Sequence, residues 1–588
     1  MKRLPILLLI SFIIFPSCRS QKIDNLKTFA KAYGYVKYFH PSDEAFTLNW
    51  QKFSAYGAKE VMKCNNQQEL LNLLNSLFNP VAPSVKFLAS QAPSGYEMEK
   101  LIPNDSSGYR LTYWQHLGLN FDMQAPKSKF INVYKSTRVN RTPSDTMLFT
   151  GKPQFQKILL KSIGQGIYCQ FPMVLYCNAE STYPSSDPEL IKQLRINLSK
   201  FDFNTDELSM KLGNVIDIYN VFQHFYPYFD VVDVNWDSEF TKALSATFND
   251  NSQTSHLKTL QRFTATLKDG HISVSSQASN FFSAPIEWEW IEGKLVITKI
   301  FEDNPDLHVG DIVTKIDGVK PEEHFKKVYP LISAGTKGWL EYVANHQSLY
   351  GEKNSKITLL VNDQKVELLR KKYLFEYQTS DKNKKPRYKK IDDSTWYLNI
   401  DQIEMDTINK IMPFMNSSKA IICDARGYPK TNHALITHFM SIDDTTSGWM
   451  QVPQIIYPDY EKVTYNKRNW NPMMKAQKPY LGNKKIIYII DGRAISYAES
   501  CLGFIEGYKL ATIVGQPSAG TNGNVNSFTL PGGYNVRWTG MKVVKHNGSQ
   551  HHGVGIIPDI YVEKTLKGIK EGRDEFLEKA IEIAKNKQ

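Results

Sequence analysis

The sequence predicts a multidomain α+β protein: N-terminal helical and β modules, then a small β domain, then an α/β layered domain. Three observations predict it. From Ser394 onward, continuous apolar runs alternate with helical patterns at Thr407–Met415 and Tyr497–Gly507. The runs are Trp396-Tyr-Leu-Asn-Ile400, Ala420-Ile-Ile-Cys423, Ile486–Ile490 and Ala511-Thr-Ile-Val514, which read as strands buried on both faces. Residues 285–372 hold shorter runs separated by Asp-Gly and Asn-Asp turns, the pattern of a small antiparallel domain. Finally, Tyr33-Gly-Tyr-Val-Lys-Tyr-Phe-His-Pro41 recurs as Tyr219-Asn-Val-Phe-Gln-His-Phe-Tyr-Pro227, and Asn49-Trp50 recurs at the same distance as Asn235-Trp236. Two copies are too few for a solenoid. They predict two related helical modules whose aromatic stripe is core.

The elements divide the chain into a leader (1–18), a first helical module (19–100), a small β domain with a linker (101–190), a second helical module ending in a turn at His271 (191–282), a β domain (283–372) and the α/β domain (373–588). In the leader, Lys2 and Arg3 precede the apolar run Leu4–Phe15. That run is too short to span a bilayer, which takes ~20 residues, and reads as an export signal. Cys18 follows directly and resembles the lipid-modified cysteine of a bacterial lipoprotein. An ordinary secretory signal with an incidental cysteine is the alternative. Five further cysteines, odd in number and scattered, make no disulfide framework, and no Cys/His spacing reads as a metal site. The net charge of +12 is spread over scattered lysines. Its densest run, Lys382–Lys390, reads as a solvated linker, and no reader motif points to nucleic acid.

Chemistry concentrates in four segments. Ser496 follows the apolar strand in Asp491-Gly-Arg-Ala-Ile-Ser496 and stands at the start of a helix. A nucleophile there is held at the sheet edge, with helix N–H groups ready for an oxyanion; a helix-capping serine is the plain alternative. Leu267-Lys-Asp-Gly-His271 offers a histidine at a turn. Ile421-Ile-Cys-Asp-Ala-Arg-Gly427 is a buried strand ending in a glycine turn, and Val514-Gly-Gln-Pro-Ser-Ala-Gly-Thr521 is a strand ending in a loop.

With the closing Gly555-Ile-Ile-Pro-Asp559, this ordered set resembles the tail-specific (C-terminal processing) serine peptidases, and within them the Ser/His branch of the tricorn core. The segment Val309-Gly-Asp-Ile-Val-Thr-Lys-Ile-Asp-Gly318 resembles the signature of PDZ domains. The resemblance implies a crotonase-like α/β peptidase domain beside a PDZ-like domain, a polypeptide substrate, and no metal or organic cofactor. It implies Ser496 as nucleophile and the N–H groups of Gly427 and Tyr497 as the oxyanion hole. The lysine of the Ser/Lys branch is replaced by Thr521, so the resemblance assigns the base to His271. Tricorn-like members place a serine before the histidine and a glutamate before the closing motif. Here those positions hold Gly270 and His552, which leaves His552, Asp269 and Glu499 as candidate orienting partners. The resulting expectation is a serine endopeptidase of the bacterial cell envelope. A catalytically degenerate binding protein, or a small-molecule esterase or amidase, stands as the alternative.

Overall fold

The computed structural model describes residues 14–89, 97–118, 135–205, 207–277, 279–382, 386–469 and 473–586. Most of the leader lies outside them, as does Phe130-Ile-Asn-Val-Tyr134, which the sequence reads as part of the small β domain. Among the described residues no helix is long and apolar enough to cross a membrane.

The two copies of the aromatic repeat build one helical body rather than two. Helices Ile14–Phe39, Trp50–Val61, Glu207–Phe225, Trp236–Thr247 and Gln253–Ala265 share a core that includes Phe29, Tyr33, Phe53, Tyr219, Phe222, Trp236 and Phe240. The repeated Asn-Trp pair does the same local work in each copy. Asn49 and Asn235 cap their helices by accepting the N–H of Lys52 (3.0 Å) and Ser238 (2.9 Å). The tryptophan that follows opens the helix and donates its indole N–H to a backbone carbonyl, Ala45 or Tyr219. The aromatic residues are packed, with Trp236 stacked 4.2 Å from Phe263 and Tyr219 4.1 Å from Phe240. Each copy leaves an apolar face that the other covers, which is why neither stands as a separate module.

The strands of residues 101–190 divide between two sheets. Ile158–Gly164 pairs with Ile167–Pro172, which pairs in turn with Lys86–Leu88, whereas Arg110–Leu117 pairs with Met450–Ile455, far along the chain. A strand with an open edge would leave its N–H and C=O groups unpaired, and the later strand supplies the partner. Cys169 and Cys177 lie in different sheets and are buried free thiols.

Residues 286–369 form a five-stranded antiparallel sheet around Trp288, Ile297, Phe325 and Leu359. The α/β domain is a six-stranded sheet in the order Tyr388–Asp392, Thr395–Asn399, Ala420–Asp424, Lys485–Ile490, Thr512–Gly515, Ile560–Tyr561. All neighbours are parallel except the first pair. Part of the lysine-rich run expected as linker is thus an edge strand, where exposed lysines discourage pairing with another chain. Ala420–Asp424 is buried throughout and covered on both faces, as its unbroken apolar run requires.

Candidate active site

Lys485–Ile490 lies between Ala420–Asp424 and Thr512–Gly515, so the three turns that follow these strands meet at one sheet edge. The turn after Lys485–Ile490 is braced by Asp491, whose carboxylate accepts the N–H and guanidinium of Arg493. It brings Ser496 to φ 61°, ψ −117°, immediately before the helix Tyr497–Gly507. A non-glycine residue with positive φ is strained and persists only where its surroundings over-determine it. Here they do: the Ser496 N–H donates to the Thr521 carbonyl (2.9 Å), and its carbonyl accepts from Ser500 N–H (3.0 Å). The Ser496 side chain makes no capping bond, so it is not the ordinary N-cap serine. The Tyr428 phenol, 57% exposed, interacts with the Ser496 side chain, which opposes the rise that burial gives the Tyr428 pKa.

Tyr497 opens the helix, where backbone N–H groups point outward at the positive end of the helix dipole. Gly427 stands beside it in the turn after Ala420–Asp424, and the Tyr428 ring lies 5.8 Å from that of Tyr497. A Cβ at 427 would sit 2.2 Å from Asp401 Oδ2, so a larger residue there would displace the Asp401 side chain. Arg426 fastens this turn by bonding both Asp424 and Asp574. Burial would raise the Asp424 pKa, but the Arg426 charge overcomes it and holds the carboxyl at about 2.

His271 arrives from a different part of the molecule, between the helix Gln253–Ala265 and the strand Ser273–Ser275. That strand pairs with Tyr534–Thr539, and the pairing carries Thr539 to the histidine. His271 Nδ1 lies 2.9 Å from Thr539 Oγ1. The Thr539 hydroxyl donates to Asp269 Oδ1 (2.8 Å), and Asp269 also accepts the N–H of His271 (3.0 Å) and of Thr539 (3.0 Å). Burial lowers the His271 pKa below the ordinary 6.5, and the charges of Asp269 and Glu499 oppose the shift. The ring is therefore neutral at pH 7.

Thr521 joins the two halves. Its carbonyl holds Ser496 N–H and its hydroxyl accepts Gly270 N–H (2.9 Å). Among the described residues no hydrogen bond joins His271 to Ser496.

Of the three orienting candidates, only Asp269 reaches His271. Glu499 is buried and organises the loop after Thr512–Gly515 instead, accepting Ser518 Oγ, Gly520 N–H (2.7 Å) and Thr521 N–H (2.8 Å). His551 Nε2 lies 3.3 Å from it. His552 stacks on Tyr228 with ring centres 3.8 Å apart, neither ring nitrogen is hydrogen-bonded, and burial lowers its pKa to about 4. A neutral stacked ring cannot take the place of an orienting carboxylate. Thr539 and Tyr428 are the residues that sequence reasoning missed. No cluster of metal-ligating side chains occurs among the described residues.

Residues 445–562 match the model of peptidase family S41. That stretch, which contains Ser496, is similar to that family. Its members are serine peptidases, hydrolases of the peptide bond. None of the curated proteins matches the chain. Among solved structures, mature CPAF complexed with lactacystin is similar over 64% of this chain and 98% of that chain, at 14% identity and a TM-score of 0.51. A mutant of CPAF is similar over 64% of this chain and 97% of that chain, at 14% identity and a TM-score of 0.52. A putative peptidase from Parabacteroides merdae matches at 15% identity over 65% of this chain and 98% of that chain, with a TM-score of 0.41. The likeness to the CPAF structures is one of fold.

Proposed function

We propose that this protein is an exported endopeptidase of the bacterial cell envelope that cleaves extended or C-terminal polypeptide segments with Ser496 as nucleophile and His271 as base. The observation that carries the reading is the placement of Thr521, which grips the nucleophile loop with its carbonyl and the histidine loop with its hydroxyl. In the Ser/Lys branch that position carries the base; here it docks a replacement.

In this mechanism the Ser496 hydroxyl leaves Tyr428 for His271 Nε2, a contact that forms when substrate binds. Oγ attacks the scissile carbonyl carbon as Nε2 takes its proton, and the oxyanion settles on the N–H groups of Gly427 and Tyr497. Collapse breaks the C–N bond and the amine leaves with the proton from His271. Water then hydrolyses the acyl-enzyme by the same base. The five-stranded domain is read as PDZ-like, taking an extended peptide by strand addition. The α/β domain is read as crotonase-like. The leader is read as an export signal, with Cys18 as the lipid anchor.

A second reading, a binding protein without turnover, draws on the engagement of Ser496 by Tyr428. Cleavage of an unfolded protein by the purified chain separates the two. The peptidase reading expects cleavage that Ser496→Ala lowers by about 10⁴-fold and His271→Ala by about 10³-fold in kcat. Binding of the same polypeptide by the parent without cleavage would establish the second reading. Loss with Ser496→Ala alone would place the base elsewhere.

A further inference from the structure

A histidine base needs one proton fixed on the nitrogen that faces away from the nucleophile, and something behind that nitrogen to steady the imidazolium. The positions expected to do this carry Gly270 and His552. Gly270 has no side chain and no room for one, since a Cβ there would meet Trp339 Nε1 at 2.9 Å and Thr521 Oγ1 at 3.0 Å. His552 is committed to Tyr228. Both roles are taken by Thr539, at the end of the strand Tyr534–Thr539, and Asp269, in the histidine loop itself. Thr539 is fully buried, and its hydroxyl hydrogen is committed to Asp269 Oδ1, a carboxylate oxygen. Toward His271 the same oxygen can only accept, so Nδ1 carries the proton and Nε2 is left basic. Asp269, also fully buried, adds the fixed negative charge one hydroxyl away and ties both backbones together.

We infer that Thr539, backed by Asp269, is the positioning pair that sets the tautomer of His271 and steadies its protonated form, through a threonine hydroxyl rather than a direct carboxylate. This rests on the Ser496/His271 reading. The other charged or titratable groups around the ring are Glu499 from the helix after Ser496, Arg537 from the paired strand, and His552.

The test compares the full chain with Thr539→Ser, Thr539→Val and Ser496→Ala. Thr539→Val keeps the shape and removes the hydroxyl; Thr539→Ser keeps the hydroxyl. The expected result is a kcat within about three-fold of the parent for Thr539→Ser. Thr539→Val is expected to lose about 30-fold or more in kcat with KM within about two-fold. Its acid limb should move to lower pH, because the imidazolium has lost an acceptor. A side chain that served packing alone would not be rescued by serine and would not move the pH profile. Independently of turnover, ¹⁵N spectra of histidine-labelled protein, with His271 assigned through His271→Gln, should show the proton on Nδ1 in the parent and in Thr539→Ser. Parent-like turnover by Thr539→Val, or a parent His271 protonated on Nε2, overturns the inference. Cleavage that survives Ser496→Ala overturns the Ser/His reading instead, and the tautomer spectrum still decides the role of Thr539.

Discussion

Ser496 and Gly427 are held largely by their neighbours in the chain: each ends a parallel strand of one sheet, and each turn is braced by an aspartate–arginine pair two residues apart, Asp491–Arg493 and Asp424–Arg426. His271 is held by remote residues. Its loop is docked by Thr521, 251 positions from Gly270, and its ring by Thr539, 268 positions away. The strand that brings Thr539 is in turn anchored in the helical body, where Val536 and Trp538 join the core of the aromatic repeat. Trp538 packs 5.7 Å from Phe222. On the proposed Ser496/His271 reading, the comparison teaches that the oxyanion turn and nucleophile belong to the α/β domain alone, while the base is delivered by the packing of two regions. On that reading the N-terminal body helps set where the base stands.

The comparison can be broken at its local side first. Gly427→Ala puts a Cβ against Asp401 and displaces the turn; we expect kcat to fall by about 10²-fold, the usual effect of losing one oxyanion donor, with thermal stability little changed. A wild-type kcat would remove Gly427 from the site. On the remote side, Trp538→Ala deletes a buried aromatic. It should cost about 3–5 kcal/mol of stability, measured by denaturant unfolding. It should also lower kcat of the molecules that remain folded, because Thr539 follows it directly. A lower stability with unchanged kcat would show that the helical body does not position the base.

The smallest effect sharpens the contrast through pH. His271 must be neutral to act, and its pKa lies below 6.5, so the acid limb of kcat/KM should fall below that of an ordinary histidine. Stability should behave differently. Burial lowers His40 to about 3 and His116 and His224 to about 4. Each is neutral when folded and gains a proton on unfolding. Their contribution is therefore complete above pH 6.5 and is lost as pH falls toward about 4, by roughly 2–3 kcal/mol per residue at that limit. Melting temperatures should fall as the pH falls across this range. Constant stability between pH 7 and about 4 would contradict the burial of these rings.

The local half of the site was legible in the sequence because its signals are local. An apolar strand, a glycine turn and a helix start identify Ser496 and Gly427 from a short stretch of chain. Leu267–His271 was legible as a motif, but its supports were not. Nothing near Thr539 marks it, since it ends a strand of alternating residues whose partner lies far back in the chain. His552 was placed by order along the chain, yet stacking on Tyr228 turns it away from the role. Likewise the strand Arg110–Leu117 reads as part of a small β domain until its edge is seen to be covered by Met450–Ile455. Periodicity reports which face of an element is buried, not what buries it.

The most direct test of the central claim is the rate at which a fluorophosphonate modifies the chain, with the site of modification read by peptide mass and the rate followed between about pH 4 and 8. The account expects modification at Ser496, a rate that titrates with a single group below 6.5, and loss of that rate in His271→Ala. No modification of Ser496, or a rate and pH dependence unchanged by His271→Ala, would contradict it.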